Sequence, residues 1–176
     1  MADSGIFVSF GSNLDPRRNV LAAARTLAAR VRIVAVSTVY ATEPLDRPEQ
    51  VRFYNGVFQV ETALEPRDLK YGVLRAIEAE LGRERTEDKY AARTIDLDLI
   101  LYNDLVLDTQ GLVIPDPDLA ERPFLALPLY ELAPGLILPD SGRPLRELVR
   151  RFAGHDLRAL PDYTTQLRKE VLHGPG

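Results

Sequence analysis

Arg93-Thr94-Ile95-Asp96-Leu97-Asp98-Leu99-Ile100-Leu101-Tyr102 reads as a β-strand, with aliphatic side chains alternating with polar ones. Ile95, Leu97, Leu99 and Leu101 share one face and belong to the core, while Asp96 and Asp98 share the other. Two strand rises put the acidic Cα atoms roughly 7 Å apart. Carboxylates at that spacing can converge on one or two hard cations. Upstream lie Arg83, Arg85, Lys89 and Arg93, a basic loop beside an acidic pair. Cations held by carboxylates, with arginines close by, are the apparatus for handling polyphosphate. Taken alone, the Asp-x-Asp pair equally suits a solvated sheet face, and the basic run suits any exposed loop.

Working outward, Ile6 to Phe10 reads as a first strand and Gly11-Ser12-Asn13 as a turn. Asp15 is a good N-cap with Pro16 at the first helical position. Val20, Leu21, Ala24, Leu27, Ala28 and Val31 then recur at helical spacing. Val31 to Tyr40, rich in β-branched residues, reads as a second strand and Tyr54 to Leu64 as a third, joined through the proline-stiffened loop 42–48. Pro66 opens a second helix that buries Leu69, Val73, Ile77 and Leu81 and closes at Gly82. The order is βαββαβ, so the expected class is α+β: a ferredoxin-like antiparallel sheet with both helices on one face. The other face is then free to present Asp96 and Asp98. Beyond Tyr102, prolines cut the chain into short pieces, with helices expected over Phe124 to Leu132 and Leu145 to Phe152. This Pro-rich and helical extension completes a single domain, 1–152, and residues 153–176 read as a weakly structured tail.

A chain of 176 residues suits one domain with an ample core. The net charge of −4 disfavours broad nucleic-acid binding. With no cysteine there is no thiolate zinc site or Cys nucleophile, and the composition fits a reducing compartment. The only histidines, His155 and His173, lie near the C-terminus, which disfavours a His-based metal site or a Ser-His-Asp triad. No apolar run approaches membrane-spanning length, so no membrane partner is expected and the default is a cytoplasmic soluble protein. Neither a P-loop nor a G-x-G-x-x-G is present, so polyphosphate would be held by arginines and metal rather than a glycine cradle.

Several segments follow one another in an order that carries more information than any one of them. They are Gly11-Ser12-Asn13-Leu14, Tyr40-Ala41-Thr42-Glu43-Pro44-Leu45, Phe53-Tyr54-Asn55, Glu78 to Arg85, Arg93 to Asp98, Ile114-Pro115 and Arg122-Pro123-Phe124. Over roughly residues 5 to 150 the chain resembles the 6-hydroxymethyl-7,8-dihydropterin pyrophosphokinase family of folate synthesis. The resemblance implies transfer of diphosphate from ATP, the co-substrate, to the hydroxymethyl group of the dihydropterin, leaving AMP. It implies that Asp96 and Asp98 hold two Mg²⁺ ions, with Asp96 also orienting the substrate hydroxyl. Arg83 and Arg93 match catalytic loop arginines that enter when the loop closes. Asn55 matches the residue that bonds the pterin edge, and Phe53 and Phe124 match rings that sandwich it. Thr42, Pro44 and Leu45 match the pocket lining. Arg75, Glu78, Arg85, Tyr90, Arg93, Leu99, Asp116 and Arg122 fall on nucleotide-binding positions. Glu78 equally suits an exposed helix position, and Arg122 a pair with Asp118 or Glu121. The partners implied are small molecules, ATP and the pterin, handled by a monomer.

The chain departs from the family pattern in places. Asp116 stands where the family usually has histidine, Tyr90-Ala91-Ala92 replaces Trp-Gly-Pro, Arg75 stands where glutamine is frequent, and Asp46 stands where glycine is common. Asp116 is expected to weaken ATP binding and Arg75 to offset part of that loss. Two other readings compete. One is a diverged paralogue that binds pterin or nucleotide but transfers weakly, or uses another pteridine or donor. The other is a non-enzymatic ferredoxin-like RNA-binding sheet, against which the two acids on the open face argue.

Overall fold

The computed structural model describes residues 4–42, 52–83, 94–155 and 157–172. Along the chain come β1 (Ile6–Ser12), α1 (Pro16–Ala28), β2 (Arg32–Val36), β3 (Tyr40–Thr42) and β4 (Phe53–Glu61). A π-helical stretch (Asp68–Leu74) runs into α2 (Arg75–Glu80), and β5 (Asp96–Tyr102) follows. Then come the β6 (Leu107–Thr109) and β7 (Leu112–Ile114) hairpin, a 3₁₀ turn (Pro117–Ala120), α3 (Pro123–Leu132), α4 (Leu145–Arg150), β8 (Arg158–Ala159) and α5 (Pro161–Leu172). The fold is α+β. The main sheet runs β5-β1-β4-β3-β8, with β2 also on β4, and its pairs are antiparallel.

The stretch expected as one second strand is two, because Ser37 breaks it. Its hydroxyl accepts the Val57 N–H at 2.9 Å, in place of a ladder bond. The expected cap at Asp15 also differs. Asp15 sits in the left-handed region (φ 41°) and its side chain caps nothing, while the Asn19 amide bonds the Leu14 carbonyl at 2.5 Å. Within α1, Val20, Ala23, Ala24 and Leu27 are buried, and Ala28, expected inside, is exposed. The helix after Pro66 buries Leu69, Val73 and Ile77 as expected, and it ends at Gly82 with φ 82°, a conformation that favours glycine.

Two apolar clusters flank the sheet. Ile6, Val8 and Phe10 meet Val20, Leu27, Leu69 and Ile77 on one side. Phe7, Val57, Ile100 and Leu101 meet Leu125 and Leu129 of α3 and Leu145 and Leu148 of α4 on the other. The second face is therefore not free along its length, as the sequence reading had it. Burying it satisfies the apolar outward positions of β1, β4 and β5.

The placement of Leu101 differs as well. Phe7 pairs with Leu101 and Val8 with Leu99, so Ile100 is the extra residue of a β-bulge. The extra residue breaks the two-residue period. Leu101 consequently joins Ile100 on the α3 side, while Ile95, Leu97 and Leu99 stay beneath the first two helices.

The segment expected as a weak tail is structured from 157 to 172. β8 pairs with β3, and α5 starts at Pro161, where a missing N–H is harmless. Tyr163 and Leu167, four apart, enter the first cluster. The Tyr163 hydroxyl donates to the Arg17 carbonyl at 2.7 Å, and Arg168 Nε donates to the Val36 carbonyl at 2.9 Å.

Candidate active site

Paired residues on antiparallel strands share a face. Gly11 of β1 pairs with Asn55 of β4 and with Asp96 of β5, and Ser9 pairs with Val57 and Asp98. Asn55, Gly11 and Asp96 thus form one row, with Asp98 in the next, on the α3 side of the sheet. Gly11 is the gap in that row. A Cβ there would lie 2.7 Å from Asn55 Oδ1. Two strand spacings, about 9–10 Å, separate the strand positions of Asn55 and Asp96. Asn55 is buried, and its Nδ2 donates to Thr42 Oγ1 at 2.5 Å. Phe53, half-buried at the start of β4, pairs with Thr42. α3 packs on β4 and carries Phe124, half-buried at its first turn.

Asp96 and Asp98 are 38% and 36% exposed. Among the described residues, three cations reach them or their strand from the helical side, round the end of the sheet. Arg83 Nη1 bonds Asp96 Oδ1 at 2.8 Å, Arg75 Nη1 lies 3.4 Å from the Leu97 carbonyl, and Lys70 Nζ lies 3.5 Å from Asp98 Oδ1. Arg83, expected to enter on loop closure, is already seated. Glu78 organises this side. It is only 2% exposed, so it is no open helix position. It accepts from Arg75 at 2.8 Å, from Arg83, and from the Leu97 N–H at 3.0 Å.

Asp116 follows Pro115, its N–H bonds the Ile100 carbonyl at 3.0 Å, and its carboxylate caps the 3₁₀ turn through the Asp118 N–H at 2.9 Å. Burial, and then the neighbouring Asp98 and Asp118 charges, push its pKa up to about 7. Arg122 pairs with Asp118 at 3.5 Å and lies 5.7 Å from the Phe124 ring centroid. Leu99, expected at a nucleotide position, has its side chain buried in the first cluster, because it alternates with Asp98. Pro44, Leu45, Arg85, Tyr90 and Arg93 lie outside the described residues.

Sequence reasoning missed Lys70 and the role of Gly11. An α-helical projection puts Lys70 off the buried stripe and gives no sign that it turns toward β5. Gly11 could have been found by noting that the βαβ order makes β1 the neighbour of both the Asn55 and the Asp96 strands.

The donor set fits a hard divalent cation. Two one-third-exposed carboxylates on one face offer only oxygen. An ion such as Mg²⁺ takes one or two carboxylates from a protein and completes its shell with water and phosphate oxygens. Among the described residues no three His, Cys, Asp or Glu side chains form a closed cage.

Comparison with known proteins shows the family. The family model for 7,8-dihydro-6-hydroxymethylpterin-pyrophosphokinase (HPPK) matches residues 7–134. The 2-amino-4-hydroxy-6-hydroxymethyldihydropteridine pyrophosphokinase of Pseudomonas aeruginosa is 41% identical over 159 residues, covering 89% of this chain and 96% of that protein. The enzyme of the same name from Haemophilus influenzae is 35% identical over 154 residues, covering 86% and 94%. Among solved structures, a Plasmodium falciparum HPPK-DHPS triple mutant with STZ-DHP superposes with a TM-score of 0.64 at 14% identity. That match covers 97% of this chain and 45% of the Plasmodium chain, a likeness of fold. With its acid pair, the Asn55–Gly11–Asp96 row and these relatives taken together, the chain belongs to the 7,8-dihydro-6-hydroxymethylpterin-pyrophosphokinase family.

Proposed function

We propose that this chain transfers diphosphate from ATP to the hydroxymethyl group of 6-hydroxymethyl-7,8-dihydropterin, a pyrophosphokinase step in folate biosynthesis. The hydroxymethyl oxygen forms a bond to the β-phosphorus and loses its proton. The bond from that phosphorus to the α–β bridging oxygen breaks, and AMP leaves. Positioning and charge compensation dominate such a transfer. The observation that carries the proposal is the row in which Gly11 opens a floor between Asn55 and Asp96, with Asp98 beside it.

In this reading Asn55, held by Thr42, presents a carboxamide to the donor and acceptor edge of the pterin. Phe53 and Phe124 flank the flat ring, with Pro44 and Leu45 lining the pocket. Asp96 and Asp98 hold Mg²⁺, two ions in the full complex, and Asp96 also orients the attacking hydroxyl. Bound Mg²⁺ supplies charge neutralisation at the phosphate oxygens. Arg83 exchanges part of its contact with Asp96 for phosphate, where a guanidinium fork suits the oxygens, and Arg93 joins it. Arg75, Glu78, Arg85, Tyr90, Asp116 and Arg122 complete the nucleotide side, with Glu78 acting through the arginines it holds. The sheet order, with β1 between β5 and β4, supports a ferredoxin-like plan extended by the Pro-rich segment after Tyr102. We read the catalytic unit as one domain in a monomeric cytoplasmic protein. No described helix is long and apolar enough to cross a membrane.

Calorimetric titration with a non-hydrolysable ATP analogue, with and without Mg²⁺ and pterin, tests the site. Mg²⁺-dependent binding is expected, and it disappears in Asp96→Ala/Asp98→Ala. Full binding by that double variant would overturn the assignment. A second reading, a relative that transfers diphosphate weakly, rests on Asp116, whose carboxyl lies near enough to Asp98 to feel its charge. AMP release in the presence of ATP, Mg²⁺ and the hydroxymethyl dihydropterin separates the two.

A further inference from the structure

Among the described residues, Lys70 is the one cation at the acid pair to which the proposed reaction gives no part. Its side chain is only 13% exposed, yet its ammonium reaches the exposed carboxylate of Asp98. The route depends on the π-helical stretch. In an α-helix, residues five apart point about 140° away from one another. Here the Arg75 N–H bonds the Lys70 carbonyl, an i→i+5 closure that widens the turn and brings positions 70 and 75 toward a common face. That face looks at β5. Arg83, Arg75 and Lys70 consequently meet Asp96, the Leu97 carbonyl and Asp98 in order along the strand. Of the two acid contacts, the Arg83 one is backed by a second carboxylate, Glu78. The Lys70 ammonium has Asp98 as its ion-pair partner and a ring, Tyr71, 5.7 Å away.

We propose that Lys70 is the resident counter-ion of Asp98. It holds the carboxylate oriented and charge-compensated while no divalent ion is bound, and it is displaced when the ion arrives. The affinity of the acid pair for metal is then set by competition with an ammonium delivered by the π turn. This rests on the reading of Asp96 and Asp98 as the metal-binding pair. Lys70 is a positioning residue in this scheme. A monocation 3.5 Å from the carboxylate opposes a divalent ion at the same oxygen, and its nearly buried stem limits its retreat into solvent.

Mn²⁺ binding by the whole protein, followed through the loss of the free-ion electron paramagnetic resonance signal, tests the proposal. The set is wild type, Lys70→Met, Lys70→Arg, Arg67→Gln and Asp96→Ala/Asp98→Ala. Arg67→Gln removes the same charge from the same helix, but Arg67 bonds Thr109 and the Gln110 carbonyl, not the acids. Lys70→Met should bind Mn²⁺ about three- to fivefold more tightly, the size expected for one partly exposed ion pair. Lys70→Arg should stay within about twofold of wild type, and Arg67→Gln should not change. Unchanged or weaker binding by Lys70→Met overturns the counter-ion role, as does equal tightening by Arg67→Gln, which would reduce the effect to net charge. Wild-type Mn²⁺ binding by the double acid variant would instead remove the acid-pair reading itself, and the two failures are told apart by that arm.

Discussion

Glu78 offers the sharpest test of how this site is built, because the nucleotide contact proposed for it competes with surroundings that form a clamp. Its carboxylate, 2% exposed, receives Arg75, Arg83 and the Leu97 N–H. Arg83 is itself only 10% exposed. Glu78→Ala therefore leaves a nearly buried guanidinium with Asp96 alone and a strand amide without its acceptor. Breaking a buried ion pair from one side costs about 3–5 kcal/mol. In a domain of this size each kcal/mol moves Tm by about 2–4 °C, so the melting temperature should fall by roughly 10 °C. Glu78→Gln retains an acceptor for the Leu97 amide but loses the charge, and should fall about half as far. Calorimetric melting together with the KM for ATP distinguishes the roles. A clamp lowers Tm and kcat together, since Arg83 loses one of its two anchors. If Glu78→Ala melts within 2 °C of wild type and only the KM for ATP rises, the carboxylate serves nucleotide directly and the clamp argument is wrong.

Asp116 should leave a mark on the pH dependence of stability in metal-free protein. Its pKa rises from 3.8 to about 7 on folding, so the native state holds the extra proton between those values. Its stabilising contribution is full below about pH 4 and is lost as pH rises through 7. Asp116→Asn removes that slope, so the variant should gain Tm relative to wild type between pH 4 and 8; a difference that stays flat with pH refutes it. Asp116→His should lower the KM for ATP, and an unchanged or raised KM would count against a phosphate-repelling aspartate. Gly11→Ala brings a methyl within 2.7 Å of Asn55 Oδ1 and forces the amide off Thr42. Pterin binding should weaken by about tenfold, the worth of one polar contact, with the ATP analogue unaffected in calorimetry. Leu167→Ala should cost about 2–5 kcal/mol by emptying a fully buried position on α5, and a Tm equal to wild type would return the segment to the status of a loose tail.

The elements that sequence resolves best here are those with a sustained period. The Asp-x-Asp strand, the first helix and the buried positions Leu69, Val73 and Ile77 all follow from spacing, and the acids emerge on the expected face. The readings that differ share a cause: a single residue out of period. Ile100 bulges and turns Leu101 over. The π turn reorients Lys70. Ser37 substitutes its hydroxyl for a ladder bond and divides one strand into two. Such one-residue events are decided by tertiary contacts, and composition carries no sign of them. Segment 157–172 escaped for a different reason. Its apolar positions, Tyr163, Leu167 and Val171, are too few to announce a buried stripe. Its docking depends on Arg17 and Val36, far away along the chain.

Why the acids lie on β5 rather than on an interior strand follows from what must reach them. Among the described residues β5 ends the sheet, and one side of its backbone has no neighbouring strand. An unpaired strand edge is an invitation to pair with another chain. Here the helix side chains take that place, with Glu78 on the Leu97 N–H and Arg75 beside the Leu97 carbonyl. The same open side lets Arg83 and Lys70 pass from the helical face to the acidic one and meet Asp96 and Asp98. On β1 or β4, strands on both sides would close that passage, and the carboxylates would face a substrate with no cation within reach. Covering the edge and supplying the counter-charge are thus one solution, and it requires the strand that is last in the sheet.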